Sequence, residues 1–327
     1  MKIPAIWVTI GQRGISHNDL EHLRSYPIDG IRINTGRSSY NWIYQAISIL
    51  IELGYSPNQI FLDIGNQKTR VTFRNNDKIT FHIGDCITVY DEYDDNADFW
   101  LEHNGFLNKV SLNDVIYFSD GEIQCNVIDI QRKSIKIVFQ TDCTMATKVA
   151  MGIVGRDFSH FEISNDEIIN VNNILAEYPI SLILSFVENA NNIIWARTVF
   201  PLSSNIVPKI ETNTAIENIT SITRIVNSVF VGRGDLGLSV GIEKVGVLQK
   251  YLISSAHNAN CNIAIGTGIL ESLRWNQFPL RAEVADITNL CYDGADIIVL
   301  TAETANAKNP FRSIDFLIKE LDYMSKI

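Results

Sequence analysis

Short apolar runs recur along this chain, each followed by glycine or polar residues and then by a longer amphipathic stretch. They are AIWVTIG (5–11), DGIRINTG (29–36), QIFLDIG (59–65), SLILSFV (181–187), NIVPKIE (205–211), SVFVGRGDL (228–236), NIAIGTG (262–268) and ADIIVLTAE (295–303). Continuous apolar runs of this length suit parallel strands buried on both faces. Between them, YQAISILIELG (44–54) and FRSIDFLIKELDYM (311–324) carry apolar residues at spacings of three and four, the mark of a helix with one buried stripe. Eight strands alternating with helices predict an α/β protein with a TIM (β/α)8 barrel. A doubly wound sheet shares the alternation.

One gap is too long for a single crossover helix. Between the third and fourth runs the period changes to two, in VTFRNNDKITFHIGDCITVY (71–90) and NKVSLNDVIYFSDGEIQCNVIDIQRKSIKIVFQ (108–140), broken by NN, GD and DG turn signals. This predicts a small antiparallel β domain over 70–158, inserted into a barrel formed by 1–69 and 159–327. The acidic run DEYDDNAD (91–98) inside it reads as a solvated loop.

Composition narrows the class. At 46% apolar and 20% charged residues the chain is an ordinary globular protein, not a disordered one. A net charge of −10 argues against nucleic acid or an anionic membrane as main partner, while leaving room for a locally basic pocket. The five cysteines (Cys86, Cys125, Cys143, Cys261, Cys291) are odd in number and lack CxxC spacing, which fits free thiols in a reducing compartment. No apolar run approaches the roughly 18 residues of a membrane span. MKIPAIWVTIGQ reads as a first strand and not a signal peptide, so a cytoplasmic location is expected.

Chemistry in a TIM barrel sits at the C-terminal ends of its strands. Those ends carry Thr9, Arg32, Asn34, Asp63, Ser185, Lys209, Glu211, Arg233, Asp235, Thr267, Thr301 and Glu303. Lys209 and Glu211, two residues apart on one strand, project to the same face, as an ion pair or as a site for a charged ligand. Arg32, Lys209 and Arg233 set against Asp63, Glu211, Asp235 and Glu303 form a mixed-charge ring. Glu211 and Asp235 offer hard oxygen ligands to a divalent cation, and the cations face an anionic substrate. No histidine lies on a strand end, which argues against His-based acid–base or Ser-His-Asp chemistry. GRGDLG (232–237) fits G-x-G-x-x-G, but Asp235 stands where a pyrophosphate must approach and the strand does not open a βαβ unit. No P-loop motif exists.

With those residues placed, a family resemblance appears. VTIG, IRIN, LDIGNQKTR, FSDGEI, LSFVENA, VPKIET, VGRGDLG, GTGILESL and LRAEVADITNLCYDGADIIVLTAETA follow the order of the pyruvate kinase family's motifs, from TIGP through LDTKGPEIR and ARGDLG to TRAEVSDV. The resemblance implies that Glu211 and Asp235 hold Mg²⁺ or Mn²⁺, and that Lys209 and Arg32 attend the transferring phosphoryl group. It implies that Gly234, Asp235 and Thr267, with Ser185, bind a pyruvate-like carboxylate, and that Thr267 delivers a proton to the enolate. It implies ADP/ATP or another nucleotide as co-substrate, at Arg70 with Arg37 and Asn34 beside it. The resemblance also makes the inserted domain a small antiparallel β-barrel lid, with Asp120 expected to approach the site when it closes.

The departures are equally specific. Of the family's K⁺ site Asn34 and Asp63 remain, while Gly36 and Ile64 replace Ser and Thr. Lys68 falls where K⁺-independent members carry lysine, so a tethered ammonium is expected to make the protein K⁺-independent. Arg37 replaces a His, Glu188 an Arg, Gly268 a Gln, and Ala302 and Asn306 a Gly and a Lys. KGVNLPG lacks a clean counterpart around KVAMGIVGRD (148–157). The C-terminal regulatory domain is expected to be absent, and a homodimer through the barrel stays open. The reading is a pyruvate kinase-like phosphotransferase acting on a small anionic substrate and a nucleotide. The alternatives are a metal-dependent carbon–carbon lyase or aldolase on a pyruvate enolate, and a catalytically quiet binding protein.

Overall fold

In a computed structural model, residues 2–65, 68–74, 78–102, 106–118, 121, 123–157 and 159–326 are described. The strands in chain order begin with β1 (Ala5–Ile10), β2 (Gly30–Asn34) and β3 (Ile60–Ile64). Nine short strands follow: β4 (Arg70–Phe73), β5 (Lys78–Phe81), β6 (Cys86–Tyr90), β7 (Phe99–Leu101), β8 (Val115–Phe118), β9 (Ile123–Ile130), β10 (Ser134–Phe139), β11 (Cys143–Ala146) and β12 (Val149–Ile153). The remaining five are β13 (Ser181–Leu184), β14 (Ile206–Ile210), β15 (Ser228–Gly232), β16 (Asn262–Gly266) and β17 (Ile297–Leu300).

The eight strands read from the apolar runs close into one parallel barrel, in the order β1-β17-β16-β15-β14-β13-β3-β2. That is the TIM barrel and not the doubly wound sheet. Its outer helices follow from the amphipathic stretches; Tyr40–Glu52 buries Trp42, Ile43, Ala46, Ile47 and Leu50 and turns its polar residues outward. Closed barrels are filled by layers of inward side chains. Here Trp7, Phe61, Ile183, Val207, Phe230, Ala264, Ile297 and Val299 form one apolar cluster, with Trp7 and Phe61 stacked at 3.9 Å between ring centroids.

Two compact units divide the chain. One comprises Met1–Asn66, Phe161–Arg233 and Gly246–Ile327; the other comprises Gln67–His160 and Gly234–Val245. The segment Gly234–Val245 groups with the second unit because Ser239 Oγ bonds to the Asp157 carboxylate and Leu238 packs close to Gly152. The second unit is the period-two region, closed in the order β10-β6-β7-β4-β12-β8-β9, with β11 and β5 as a separate antiparallel pair. Its core includes Phe73, Phe118, Val127, Ile137 and Phe139.

One pairing departs from the antiparallel expectation: β6 and β7 run parallel, with Val89 opposite Phe99. The acidic loop 91–98 joins them, and it folds back instead of turning tightly because Arg74 captures the carbonyls of Asp94 and Ala97. Among the described residues no helix is long and apolar enough to cross a membrane.

Candidate active site

The site grows out of the barrel's own layering. Inward residues recur every two positions along a strand. Two residues beyond the apolar layer Trp7, Phe61, Ile183 and Val207 stand Thr9, Asp63, Ser185 and Lys209, and Arg32 joins them from β2. An apolar layer is thus capped by a polar one made from the same strand faces. Glu211 lies one step further along β14's inward face.

All four charged members are buried: Arg32 is 7% exposed, Lys209 5%, Glu211 2% and Asp63 0%. Two cations against two anions leave no net charge in the cluster, which is what makes their burial tolerable. Arg32 donates from Nε to Asp63 Oδ2 at 2.8 Å and pairs with the same oxygen through Nη2 at 2.6 Å. Its Nη1 donates to Thr9 Oγ1 at 3.1 Å. Ser185 Oγ donates to Asp63 Oδ1 at 2.9 Å. Lys209 Nζ sits 3.4 Å from Asp63 Oδ2, 3.3 Å from Ser185 Oγ and 2.9 Å from Glu211 Oε1. Burial alone would raise the Asp63 carboxyl, but Lys209 and Arg32 outweigh it and hold the group below its ordinary value.

Small residues and one aromatic ring shape the space around these charges. The Arg32 guanidinium and the Lys209 ammonium both lie near the face of Phe230, at 5.7 and 5.8 Å from its centroid. A Cβ on Gly266 would come within 2.8 Å of that ring, and one on Gly232 within 2.5 Å of Glu211 Oε1. Glu211 Oε2 accepts the backbone N–H of Phe186 at 3.1 Å, and Phe186, fully inside, holds a left-handed φ of 54° to deliver it.

Thr267, immediately after β16, also has a left-handed backbone, φ 73°. Its carbonyl accepts from Arg233 Nε at 3.0 Å and Nη2 at 2.9 Å. Arg233 Nη1 turns to Gln249 Oε1 at 3.2 Å and to the Asp286 carboxylate at 2.8 Å. The expected mixed-charge ring is therefore smaller than the sequence suggested. Arg233 is committed to the Thr267 backbone and to Asp286. Glu303 is fully buried, its Oε2 accepting from Thr301 Oγ1 at 3.1 Å while Oε1 has no partner among the described residues.

A family model described as pyruvate kinase, barrel domain, matches residues 1–314. The chain belongs to the pyruvate kinase family. It is 30% identical over 334 residues to a pyruvate kinase of Thermotoga maritima, covering 98% of this chain and 70% of that protein. It is 30% identical to a pyruvate kinase of Thermoplasma acidophilum, covering 71% of this chain and 43% of that one. A Candida albicans pyruvate kinase is 26% identical, covering 94% and 64%. The chain thus spans between 43% and 70% of the length of these relatives.

Within the pyruvate kinase frame, the structure gathers Arg32, Asp63, Ser185, Lys209 and Glu211 into one cluster. Asn34 stays on the rim of β2, its Oδ1 accepting from Gly36 N at 2.9 Å, and Arg37 is exposed in the turn that follows. Gly234, Asp235, Lys68 and Arg70 belong to the second unit. There Lys68 Nζ pairs with Asp235 Oδ1 at 2.7 Å, and Arg70 Nη1 donates to the Lys148 carbonyl at 3.0 Å. Asp120 lies outside the described residues.

Sequence reading passed over several neighbours. Glu167, at the start of helix Asn165–Glu177, accepts from Thr35 Oγ1 at 2.7 Å and Gly65 N at 3.2 Å, and burial pushes its carboxyl up. It ties the turn after β2 to the end of β3. Its only sequence signal is the Ser164 cap that opens the helix. Phe230, Gln249 and Asp286 carry no signal beyond ordinary core and helix positions.

Proposed function

We propose that this chain is a pyruvate kinase-type phosphotransferase, moving a phosphoryl group between phosphoenolpyruvate, or a related small enol or hydroxy acid, and a nucleotide. The observation that carries this reading is the Lys209 ammonium, buried between Asp63 and Glu211 at the C-terminal end of the barrel. Phosphoryl transfer needs little covalent help; it is catalysed by fixed positive charge on the oxygens of the group in flight. Lys209 provides such a charge already desolvated and held by three oxygens, so it needs no reorganisation during reaction. Arg32 adds a second. A guanidinium has five N–H donors, and its contacts to Asp63 and Thr9 leave donors for a phosphoryl oxygen.

The donor chemistry fits a hard divalent cation. Glu211 offers carboxylate oxygens, and the resemblance in sequence adds Asp235. Among the described residues no cluster of three or more acidic, histidine or cysteine side chains could hold a metal. Mg²⁺ is commonly held by one or two carboxylates together with substrate oxygens and water, and Mn²⁺ accepts the same oxygen ligands. When bound, such an ion supplies positive charge to the carboxylate and enolate oxygens of the substrate. As the phosphoryl group passes to a terminal phosphate oxygen of the nucleoside diphosphate, a P–O bond forms there, the P–O bond to the enol oxygen breaks and an enolate remains. In this reading the Thr267 hydroxyl would pass a proton to its methylene carbon, giving pyruvate. Arg70, Arg37 and Asn34 would meet the nucleotide, and Lys68 would supply the charge that K⁺ supplies elsewhere in the family.

The test is pyruvate release from phosphoenolpyruvate with a panel of nucleoside diphosphates and Mg²⁺ or Mn²⁺, with Lys209→Ala as control. Turnover that disappears in the control supports the reading. Turnover that persists in it, or none with any diphosphate, overturns it and moves the search to enolate-forming lyase substrates.

A further inference from the structure

We propose that Arg233 is a positioning residue, which locks the strained backbone of Thr267 and so fixes where that residue's hydroxyl stands. The role of Thr267 rests on the function proposed above; the clamp itself does not.

Thr267 is β-branched and sits at φ 73°, followed by Gly268 at φ 70°. A β-branched residue in the left-handed region is a true outlier, because its Cβ crowds its own chain. Such strain persists only where surrounding structure enforces it. The enforcing contact is visible. Arg233 Nε and Nη2 converge on the one Thr267 carbonyl at 3.0 and 2.9 Å, two charge-assisted bonds from a planar fork.

The fork is in turn held from behind. Nη1 binds Gln249 Oε1 at 3.2 Å, on helix Ile242–Asn258, and Asp286 Oδ1 and Oδ2 at 3.0 and 2.8 Å, on helix Arg281–Asp293. Register explains why this residue has the task. Gly232 pairs with Gly266 across β15 and β16, so the residues that follow them, Arg233 and Thr267, leave neighbouring strand ends side by side. Its guanidinium, expected to face a substrate, is used along its whole edge on protein groups.

A lysine could not substitute. An ammonium on a flexible stem is a point donor and cannot hold a carbonyl and a carboxylate with a rigid plane.

Arg233→Met, Arg233→Lys and Asp286→Asn, made in the full chain, test the clamp by three readouts. The first is the Thr267 backbone conformation, from a crystal structure of each variant. The second is steady-state kinetics with phosphoenolpyruvate, a nucleoside diphosphate and Mg²⁺. The third is metal-dependent exchange of the pyruvate methyl protons with deuterated water, followed by NMR, which reads proton transfer at the enolate carbon without phosphoryl transfer.

In Arg233→Met, Thr267 is expected to leave the left-handed region. kcat should fall roughly 10²-fold and methyl exchange with it, while the KM for nucleotide stays within about twofold, the signature of a misplaced reacting group. Arg233→Lys should not rescue either rate. Asp286→Asn keeps the carbonyl bonds and should lose only about tenfold; it also carries the test should the Arg233 variants fail to fold. Thr267 staying at positive φ in Arg233→Met, or unchanged kcat and exchange in that variant, overturns the proposal. If the wild-type protein turns over no phosphoenolpyruvate, the proposed function fails, and the Thr267 conformation still decides the clamp.

Discussion

The Lys209 ammonium stands 2.9 Å from Glu211, two residues further along its own strand, and 3.4 Å from Asp63, which reaches it from two strands away in the barrel. One buried cation thus joins two buried carboxylates. Removing one partner of a buried ion pair leaves an uncompensated charge, so Lys209→Ala should cost about 3 kcal/mol of stability. Activity should fall by at least about 10²-fold, the effect of losing one fixed charge in a phosphoryl-type site.

The same contact sets a pH dependence. Asp63 is raised by burial, but Lys209 and Arg32 together hold it below its ordinary value. A carboxyl depressed by folding contributes stability above its unfolded value near 3.8, and that stability is lost as pH falls through the lower folded value. Denaturant unfolding followed against pH should therefore show the wild type holding its stability down to about pH 4. Lys209→Ala, whose Asp63 is depressed less, should start from a lower stability and lose less of it as pH falls below about 4, because the onset is set by the unfolded value. Parallel curves for the two proteins would show that Lys209 does not set the Asp63 charge.

Glu303 behaves in the opposite sense. Burial, with the Glu271 carboxylate adding to it, raises its carboxyl above the ordinary 4.5. A carboxyl raised by folding binds its proton more tightly in the folded state, so the protein loses stability as pH rises above about 4.5. Glu303→Gln removes the ionisation but keeps the shape. The variant should lack this component, and its advantage over wild type should grow as pH rises above about 4.5 in thermal melts. An advantage that is constant across this range would mean that Glu303 ionises as it would in the unfolded chain.

How far the sequence carries depends on the kind of relation. Strand and helix alternation, and the period-two insertion, are local patterns, so the eight-stranded barrel and the smaller closed barrel were legible. So was the i, i+2 relation of Lys209 and Glu211, since a strand has only two faces. What was not legible is contact across strands. Arg233 looks like a ring cation from its strand position, yet the register of Gly232 with Gly266 sends it to the Thr267 carbonyl. The parallel β6–β7 pair has the same origin: the acidic loop reads as solvated, and nothing in its composition says that Arg74 will fold it back. Glu303 sits at a strand end like the others, but its burial is a tertiary fact.

Glycine at position 232 is a matter of room. A Cβ there would lie 2.5 Å from Glu211 Oε1, closer than real Cβ atoms come, and 3.1 Å from its Cγ, a tight contact. Gly232→Ala must push Glu211 off Lys209 or open β15 from β14, an overpacking cost of about 1–3 kcal/mol. Metal affinity is the sharper readout. Mn²⁺ binding, followed by paramagnetic relaxation of water, should weaken by at least about tenfold, since the carboxylate proposed as its ligand has been moved. Undiminished Mn²⁺ binding by a folded Gly232→Ala protein would remove Glu211 from the metal site.

Lys68 allows a test by charge reversal. Its ammonium is 2.7 Å from Asp235 Oδ1, and both side chains are mostly buried, so the pair is held and not merely transient. If this tethered cation stands in for a monovalent ion, wild-type turnover of phosphoenolpyruvate should be the same in K⁺ and in tetramethylammonium. Lys68→Glu sets a second carboxylate beside Asp235 and removes the cation, so activity in tetramethylammonium should fall by about 10²-fold or more, the scale of losing one fixed charge. K⁺, a bare cation able to sit among oxygens, should restore much of it, while tetramethylammonium, too large to enter, should not. Two results would count against the argument: a wild type that needs K⁺, which shows that Lys68 does not replace the ion, or a Lys68→Glu protein that stays active without it, which shows that no positive charge is needed there.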